Sequence, residues 1–472
     1  MTFNDDEPIV APQDDSTEEK PGTYGAGKTQ MTIINQPEAP LEETELKVLL
    51  ELSGSGDNED RSPVDIVAIL DVSKSMNEED KIGKLKIAVQ FLIQKLSPID
   101  RLSVVTFSTE SKRLFPLRQI TNNSQKEIIE KINALEVNGA TNMADGLKTG
   151  LEVLRDRRLK NGRLGAIMLM SDGEQTIELG DAGHVDQLDN FPVHTFGFGS
   201  DAKPEVLKEI AEKSKGGTFS DVRDHNNLSK AFSQCLGGLL TVVVKDLNLT
   251  IAQVDEESKI KNVSAGNYPK TENDSSVTIS FGELYNNEVL VVMVYLLLPK
   301  VESERNSDVL QVTYTYSSGK GKLFEAHPIT AIVTRVEKAT YKEEPKLILE
   351  ENRLKTLKSV KEARVMADNM ELEKAKEKVD EAQNLLEDVK AVDTKEIIKT
   401  LTYDLQQLSE LMTTQKEYEE KGRPYALSFE TSHERQRYAA RGDIEKVRSF
   451  ATPRMNAYLE EAKKFNEDPA SK

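Results

Sequence analysis

The sequence predicts an α/β fold with a mostly parallel sheet flanked by helices, then an antiparallel β-sandwich unit and a C-terminal helical segment. Three observations predict it. Val64–Leu70 (VDIVAIL), Leu102–Phe107 (LSVVTF) and Ala166–Met170 (AIMLM) are continuous apolar runs of strand length, as expected of strands covered on both faces. Between them, Leu85, Ala88, Val89, Leu92 and Leu96 recur at three- and four-residue spacing within Lys81–Leu96, the period of an amphipathic helix. Beyond residue 240, short runs rich in Val, Thr and Tyr, such as Val309–Tyr316 and Ile329–Val336, alternate with turn signals, which reads as a compact antiparallel sandwich.

A chain of 472 residues has room for several domains at roughly 100–200 residues each. Residues 1–45 carry eleven Asp or Glu against two Lys, a net charge of −9, and five prolines, so an acidic disordered linker is expected there. Residues 46–240 hold the α/β pattern and 241–338 the β-sandwich unit. Residues 339–420 are expected to form a helical hairpin. Leu372, Ala375, Val379, Ala382, Leu386 and Val389 mark its first helix; Asp393 and Glu396 resemble a capping box before Ile397, Leu401, Leu405 and Leu408. Residues 421–472 read as a C-terminal tail.

The net charge of −19 argues against a nucleic-acid binder, whose affinity rests on clustered Lys and Arg. With Cys235 as the single cysteine, the sequence contains no disulfide framework and no Cys-rich zinc site. The stretch Met1–Val10 has acids where a signal peptide needs a basic end and an apolar run. The longest apolar run, Val289–Leu298, has ten residues, about half of what a membrane-crossing helix needs. A cytoplasmic chain is expected, with peripheral membrane association left open.

One constellation carries chemistry. The first buried run ends in Asp71-Val72-Ser73-Lys74-Ser75, Gly139-Ala140-Thr141-Asn142 introduces a helix, and Ser171-Asp172 ends another buried run. In open α/β sheets such strand ends collect ligands on one rim, and oxygen donors of this kind suit a hard divalent cation. Each residue taken singly is an ordinary cap or turn residue; the five together are not. Asp71, Ser73, Ser75, Thr141 and Asp172, in this order and on these elements, resemble the metal-ion-dependent adhesion site of the von Willebrand factor A domain. The resemblance implies a Rossmann-like domain in which the serines and threonine hold one Mg²⁺ or Mn²⁺, the aspartates act largely through water, and a protein partner's acidic group completes the coordination. Lys74 stands where that family usually has Gly, which puts the strength of the site in question.

The wider arrangement is similar to a plant family that includes wavy-growth-type RING ubiquitin ligases and related A-domain proteins. The likeness rests on Phe3-Asn4-Asp5-Asp6-Glu7-Pro8, the A domain, the β and helical units, Ser432-His433-Glu434-Arg435-Gln436-Arg437 and Thr452-Pro453-Arg454-Met455. In those ligases a Cys-rich RING precedes the acidic stretch. Here Met1 and Thr2 precede it and one cysteine builds no RING, so ligase catalysis is not expected.

Other motifs weigh less. Gly22–Thr29 (GTYGAGKT) matches the P-loop pattern, but without the entering strand and leaving helix that cradle phosphates. Arg441-Gly442-Asp443 reads as a chance match to an adhesion tripeptide. The five histidines lack metal spacing, and Cys235 reads as a small core residue. The expected function is a non-enzymatic interaction module that offers a divalent cation to an acidic group on a protein partner. The alternatives are a RING-less adaptor or competitor acting with RING-bearing relatives, and a metal- or nucleotide-dependent hydrolase.

Overall fold

The α/β sheet is not where the fold begins. The computed structural model describes residues 3–9, 27–56, 61–172, 188, 191–199, 203–317, 323–340, 342, 344–389 and 395–468. Three strands precede the sheet: β1 (Thr29–Asn35), β2 (Glu38–Pro40) and β3 (Thr44–Gly54). Met31 and Ile33 of β1 alternate with polar residues and pack on an apolar core, a two-residue period that the acidic composition of residues 1–45 conceals. The expectation of a disordered linker therefore fails over its described part. Its residues 1–2 and 10–26 lie outside the described residues.

The α/β unit follows. Its six strands are β4 (Val64–Asp71), β5 (Arg101–Phe107), β6 (Ser111–Gln119), β7 (Leu164–Ser171), β8 (Val193–Gly197) and β9 (Phe219–Asp221). They lie in the order β6-β5-β4-β7-β8-β9, all parallel except β6, which pairs antiparallel with β5. Five helices cover them: α1 (Lys81–Lys95), α2 (Asn122–Asn133), α3 (Met143–Asp156), α4 (Pro204–Lys213) and α5 (Leu228–Leu239). The continuous apolar run of β4 is explained by its two covered faces. Ile66, Ala68 and Leu70 join one core with Leu85, Leu92 and Phe232 of α1 and α5. Val67 and Ile69 join another with Leu147 and Leu151 of α3.

After α5 the chain returns to the sandwich. Strands β10 (Val242–Gln253), β11 (Lys259–Ser264), β12 (Lys270–Glu272), β13 (Ser276–Tyr285), β14 (Val289–Leu298), β15 (Arg305–Ser317), β16 (Leu323–Glu325) and β17 (Ile329–Val336) complete two sheets. One has the order β1-β3-β14-β11; the other has β12-β13-β10-β15-β17-β2, with β16 on β15. Because β3 pairs with β14 along its length, from Thr44↔Leu298 to Ser53↔Val289, the α/β unit is an insertion between two strands of the sandwich. The ten-residue apolar run of β14 also has two covered faces. Val292, Val294 and Leu296 face the sandwich core, while Met293 packs with Leu49 and Leu347.

Leu347 belongs to the first of the last helices: α6 (Pro345–Asp368), α7 (Leu372–Val389), α8 (Lys395–Glu410), α9 (Gln415–Glu417), α10 (Arg423–Arg435) and α11 (Pro453–Glu467). These form no simple hairpin. Val360 and Ala367 of α6, Val379 and Leu386 of α7, Leu401 and Leu405 of α8, and Tyr425 and Phe429 of α10 share one core. The capping-box residue Asp393 lies outside the described residues. Nor is the end of the chain a tail, since Met455, Tyr458 and Leu459 of α11 enter the core of the α/β unit.

The Ser432–Arg437 stretch is the joint between all three parts. The guanidinium of Arg437 donates to Glu288 Oε1 (2.7 Å) and to the carbonyls of Gly216 (3.0 Å) and Glu283 (2.5 Å), above the Tyr285 ring. The Gln436 side chain pairs with both the N–H and the C=O of Val291 at 2.7 Å, as a neighbouring strand would. Arg435 donates to the carbonyls of Glu212 and Ser214 at the end of α4, and Arg353 of α6 donates to the His433 carbonyl at 2.8 Å. Buried charge is tolerated here because Arg353 and Arg437 meet carboxylate as well as carbonyl oxygens, while Arg435 meets two carbonyls through Nη2 and lies over the Tyr268 ring.

Candidate metal centre

Asp71 closes β4 and Asp172 follows β7, its immediate neighbour in the sheet, so both carboxylates reach the same carboxyl-end rim. Both are buried. The Ser73 N–H donates to Asp71 Oδ1 at 2.9 Å and the Ser171 hydroxyl donates to Oδ2 at 2.7 Å. The Ser73 and Ser75 hydroxyls lie 3.1 Å apart.

The loop bearing Thr141 is tied to this one through its backbone. Asn138 N–H donates to the Val72 carbonyl (2.8 Å), and Lys74 N–H to the Gly139 carbonyl (3.3 Å). Gly139 is left-handed at φ +72°, and a Cβ there would lie 2.6 Å from the Thr109 hydroxyl, so only glycine fits without displacement. Thr141 is buried just before Asn142, whose side chain caps α3 by accepting from the Asp145 N–H. Four of the five sequence-predicted residues are thus buried around one rim, with Ser75 half-buried.

The electrostatics are unbalanced. Burial, reinforced by the charge of Asp172, pushes the Asp71 carboxyl up to about 6. Asp172 Oδ1 is buried with no hydrogen-bond partner among the described residues, a state that costs free energy unless something cationic or donating compensates it. Two carboxylates and three hydroxyls are a donor set for a hard cation such as Mg²⁺ or Mn²⁺, and the orphaned oxygen is where such an ion would be in demand. Among the described residues no three or more His, Cys, Asp or Glu converge as metal ligands, in keeping with a hydroxyl-dominated site.

Two further residues belong to this rim. Ser171 was in view as part of the strand end. Lys81 was not: as the first residue of α1 it has the sequence signature of a surface lysine. Two successive left-handed residues, Glu79 and Asp80 (φ 50° and 57°), turn the chain into α1. Lys81 is then buried, with Nζ 3.2 Å from Asp172 Oδ2. Gly199, also left-handed, leaves room for it, since a Cβ there would be 3.1 Å from Nζ. Lys74, the departure from the family pattern, is exposed.

Comparison with known proteins identifies the domain that bears this rim. A family model described as von Willebrand factor type A domain matches residues 65–234, which contain all five residues. The chain carries a von Willebrand factor type A domain. A second model, described as VWA / Hh protein intein-like, matches residues 395–464, which run from α8 to α11. The A-domain protein is 30% identical over 249 residues to E3 ubiquitin-protein ligase WAV3 of Arabidopsis thaliana, covering 52% of this chain and 32% of that ligase. It is 29% identical over 270 residues to the probable E3 ubiquitin-protein ligase WAVH2 of the same plant, covering 54% and 36%. The chain thus spans about a third of these relatives' length. Among solved structures, a von Willebrand factor type A protein from Catenulispora acidiphila superposes with a TM-score of 0.66 at 17% identity, over 86% of this chain and 96% of that one. The ArnB paralog VWA2 from Sulfolobus acidocaldarius does so with 0.54 at 17% identity, over 86% and 98%. The shared fold therefore extends past the A domain.

The remaining motifs fall as follows. Thr29 opens strand β1 directly after Lys28, so no helix follows the glycine-rich stretch as phosphate binding requires. Arg441 of the Arg-Gly-Asp tripeptide is buried in a paired contact with Asp404, 2.8 Å at both oxygens. Cys235 packs against the A-domain core, and burial raises its thiol pKa. His194 is buried, which pushes its imidazole down to about 3 and keeps it neutral; His184 lies outside the described residues. No helix among the described residues is long and apolar enough to cross a membrane.

Proposed function

We propose that the A domain is a protein-interaction module that holds a divalent cation, Mg²⁺ or Mn²⁺, through Asp71, Ser73, Ser75, Thr141 and Asp172, and binds an acidic group of a protein partner there. The observation that carries this reading is the buried Asp172 Oδ1, without a hydrogen-bond partner among the described residues, beside an Asp71 carboxyl pushed up to about 6. A bound cation would supply a Lewis-acidic position for an outside carboxylate. Ser73 and Ser171 orient Asp71 by hydrogen bonds to its two oxygens. The backbone ties between residues 72–74 and 138–139 hold the two hydroxyl-bearing loops together. The reading is non-enzymatic: both rim carboxylates are taken up as cation ligands, which leaves neither as a general base. A cytoplasmic setting goes with it, given a single cysteine and no disulfide framework.

Calorimetric titration of Mg²⁺ and Mn²⁺ into wild type and Asp71→Ala tests the proposal. Binding by the wild type alone, with the variant's fold retained by circular dichroism, is expected. Equal binding by both, or none by either, would remove the loop as the cation site.

A second reading rests on the similarity to the two Arabidopsis ligases. On that reading the protein is an adaptor or competitor that occupies partners of RING-bearing relatives. An in vitro ubiquitination reaction containing such a relative, with wild type or Asp71→Ala added, separates the two. Interference that persists in the variant takes the cation out of that role.

A further inference from the structure

Away from the metal rim, the free edge of the A-domain sheet is already holding a peptide, the chain's own residues 3–7. Strand β6 ends the sheet, and an edge strand offers unpaired backbone groups to an extended segment. The Glu7 N–H donates to the Leu117 carbonyl of β6 at 3.1 Å. Side chains on either side of it alternate, as an extended chain requires. Asp5 takes both guanidinium nitrogens of Arg113 at 2.7 Å, and Glu7 pairs with Arg118 at 2.8 Å. Asp6 between them points inward, buried, to Arg101 and the Arg158 N–H. The Phe3 ring lies 4.3 Å from the Arg113 guanidinium carbon, and its N–H donates to Asp156 at 2.7 Å.

The interior beneath explains why the edge selects acid. Asp65 is buried and accepts from three guanidiniums, Arg101, Arg157 and Arg163, at 2.8–2.9 Å. Among the described residues of the sheet, one carboxylate faces three arginines, and buried like charges left without partners are an expensive state. Asp6 supplies the second carboxylate from outside the sheet. The pocket is thus built for an anion whether or not this segment fills it.

We propose that the arginine-lined edge of β6 is a recognition site for an extended acidic peptide led by an aromatic residue, and that it accepts the Phe3–Glu7 segment of a second copy of this chain in exchange for its own. Every copy carries both the site and its ligand, with matching charge. The chain's own segment competes at the high effective concentration of a tethered ligand, so exchange is weak until that segment is removed or loosened.

The probe is a fluorescent peptide of residues 2–9, titrated into wild type, into the chain lacking residues 1–9, and into the full chain carrying Asp5→Lys with Glu7→Lys. The last variant loosens the segment from its exposed contacts and stands in if the truncation does not fold. The opened variants are expected to bind at least about tenfold tighter than wild type, and to bind a peptide with Asp6→Asn at least about tenfold weaker. Failure of both opened variants to bind, or equal binding of the Asn peptide, overturns the site. The second copy is tested by sedimentation. The truncated chain (site open, ligand absent) is mixed with the full chain carrying Arg113→Glu and Arg118→Glu (ligand free, site closed). A mixed dimer, with each alone monomeric, is expected. Peptide binding without a mixed dimer overturns the second copy as occupant and assigns the edge to another acidic chain.

Discussion

Lys81 Nζ lies 3.2 Å from Asp172 Oδ2, a buried ion pair inside the rim that the two A-domain aspartates share. The protein thus carries a monovalent counter-charge of its own where a divalent ion is proposed. A unit positive charge about 4 Å away opposes a divalent cation by about 8 kcal/mol at an effective dielectric near 20, before any movement of the lysine lessens it. Replacement of this lysine by an isosteric neutral residue separates its role from that of the ligands.

Lys81→Met is expected to raise Mg²⁺ affinity by about tenfold or more, measured by calorimetry. In chelator the same variant should melt below wild type, because Asp172 loses its partner. Unchanged affinity would show that Lys81 moves away at no cost when the ion arrives.

Arg437→Ala is expected to destabilise the chain by about 3–5 kcal/mol, since it leaves the buried Glu288 uncompensated and frees the carbonyls of Gly216 and Glu283. Urea unfolding followed by circular dichroism reads this, and the transition should broaden or split as the A domain and sandwich uncouple. A loss under about 1 kcal/mol, the scale of an exposed ion pair, would mean that Arg437 is not the joint.

Glu283 gives a pH signature. Burial pushes its carboxyl up to about 7 despite the charge of Arg437, and its Oε2 has no hydrogen-bond partner among the described residues. The folded-state value lies above the unfolded one, so the stability linked to its protonation is full below about 4.5 and is lost as pH rises through about 7. Glu283→Gln should therefore raise the melting temperature at pH 8 relative to wild type, with a much smaller difference at pH 5. A gain independent of pH would assign the effect to packing.

Lys28→Ala is expected to leave the response to nucleotides and the melting temperature unchanged, because Thr29 enters β1. Differential scanning fluorimetry with Mg²⁺-ATP checks it. A nucleotide-dependent rise in wild type that vanishes in the variant would restore the P-loop reading.

Much of the A domain was legible because its strands are covered on both faces. Runs such as Val64–Leu70 and Ala166–Met170 have one explanation, and the residues that follow them, Asp71 and Asp172, necessarily share a rim once the two strands are neighbours. The helix at Lys81–Lys95 shows in its period for a different reason, burial of one face only.

Pattern and composition therefore reveal what is local: which segments are strands or helices, and which oxygen-bearing residues end them. It takes the folded chain to show that β3 pairs with β14 across some 240 intervening residues, that Lys81 turns inward to Asp172, and that Asp6 and Arg437 are buried. Burial of a charge depends on a partner brought from far along the chain: Arg101 for Asp6, Glu288 for Arg437, Asp172 for Lys81. A window of sequence contains the charge but not the partner, so it reads each of these as surface; the fold, by satisfying them in pairs, makes them interior.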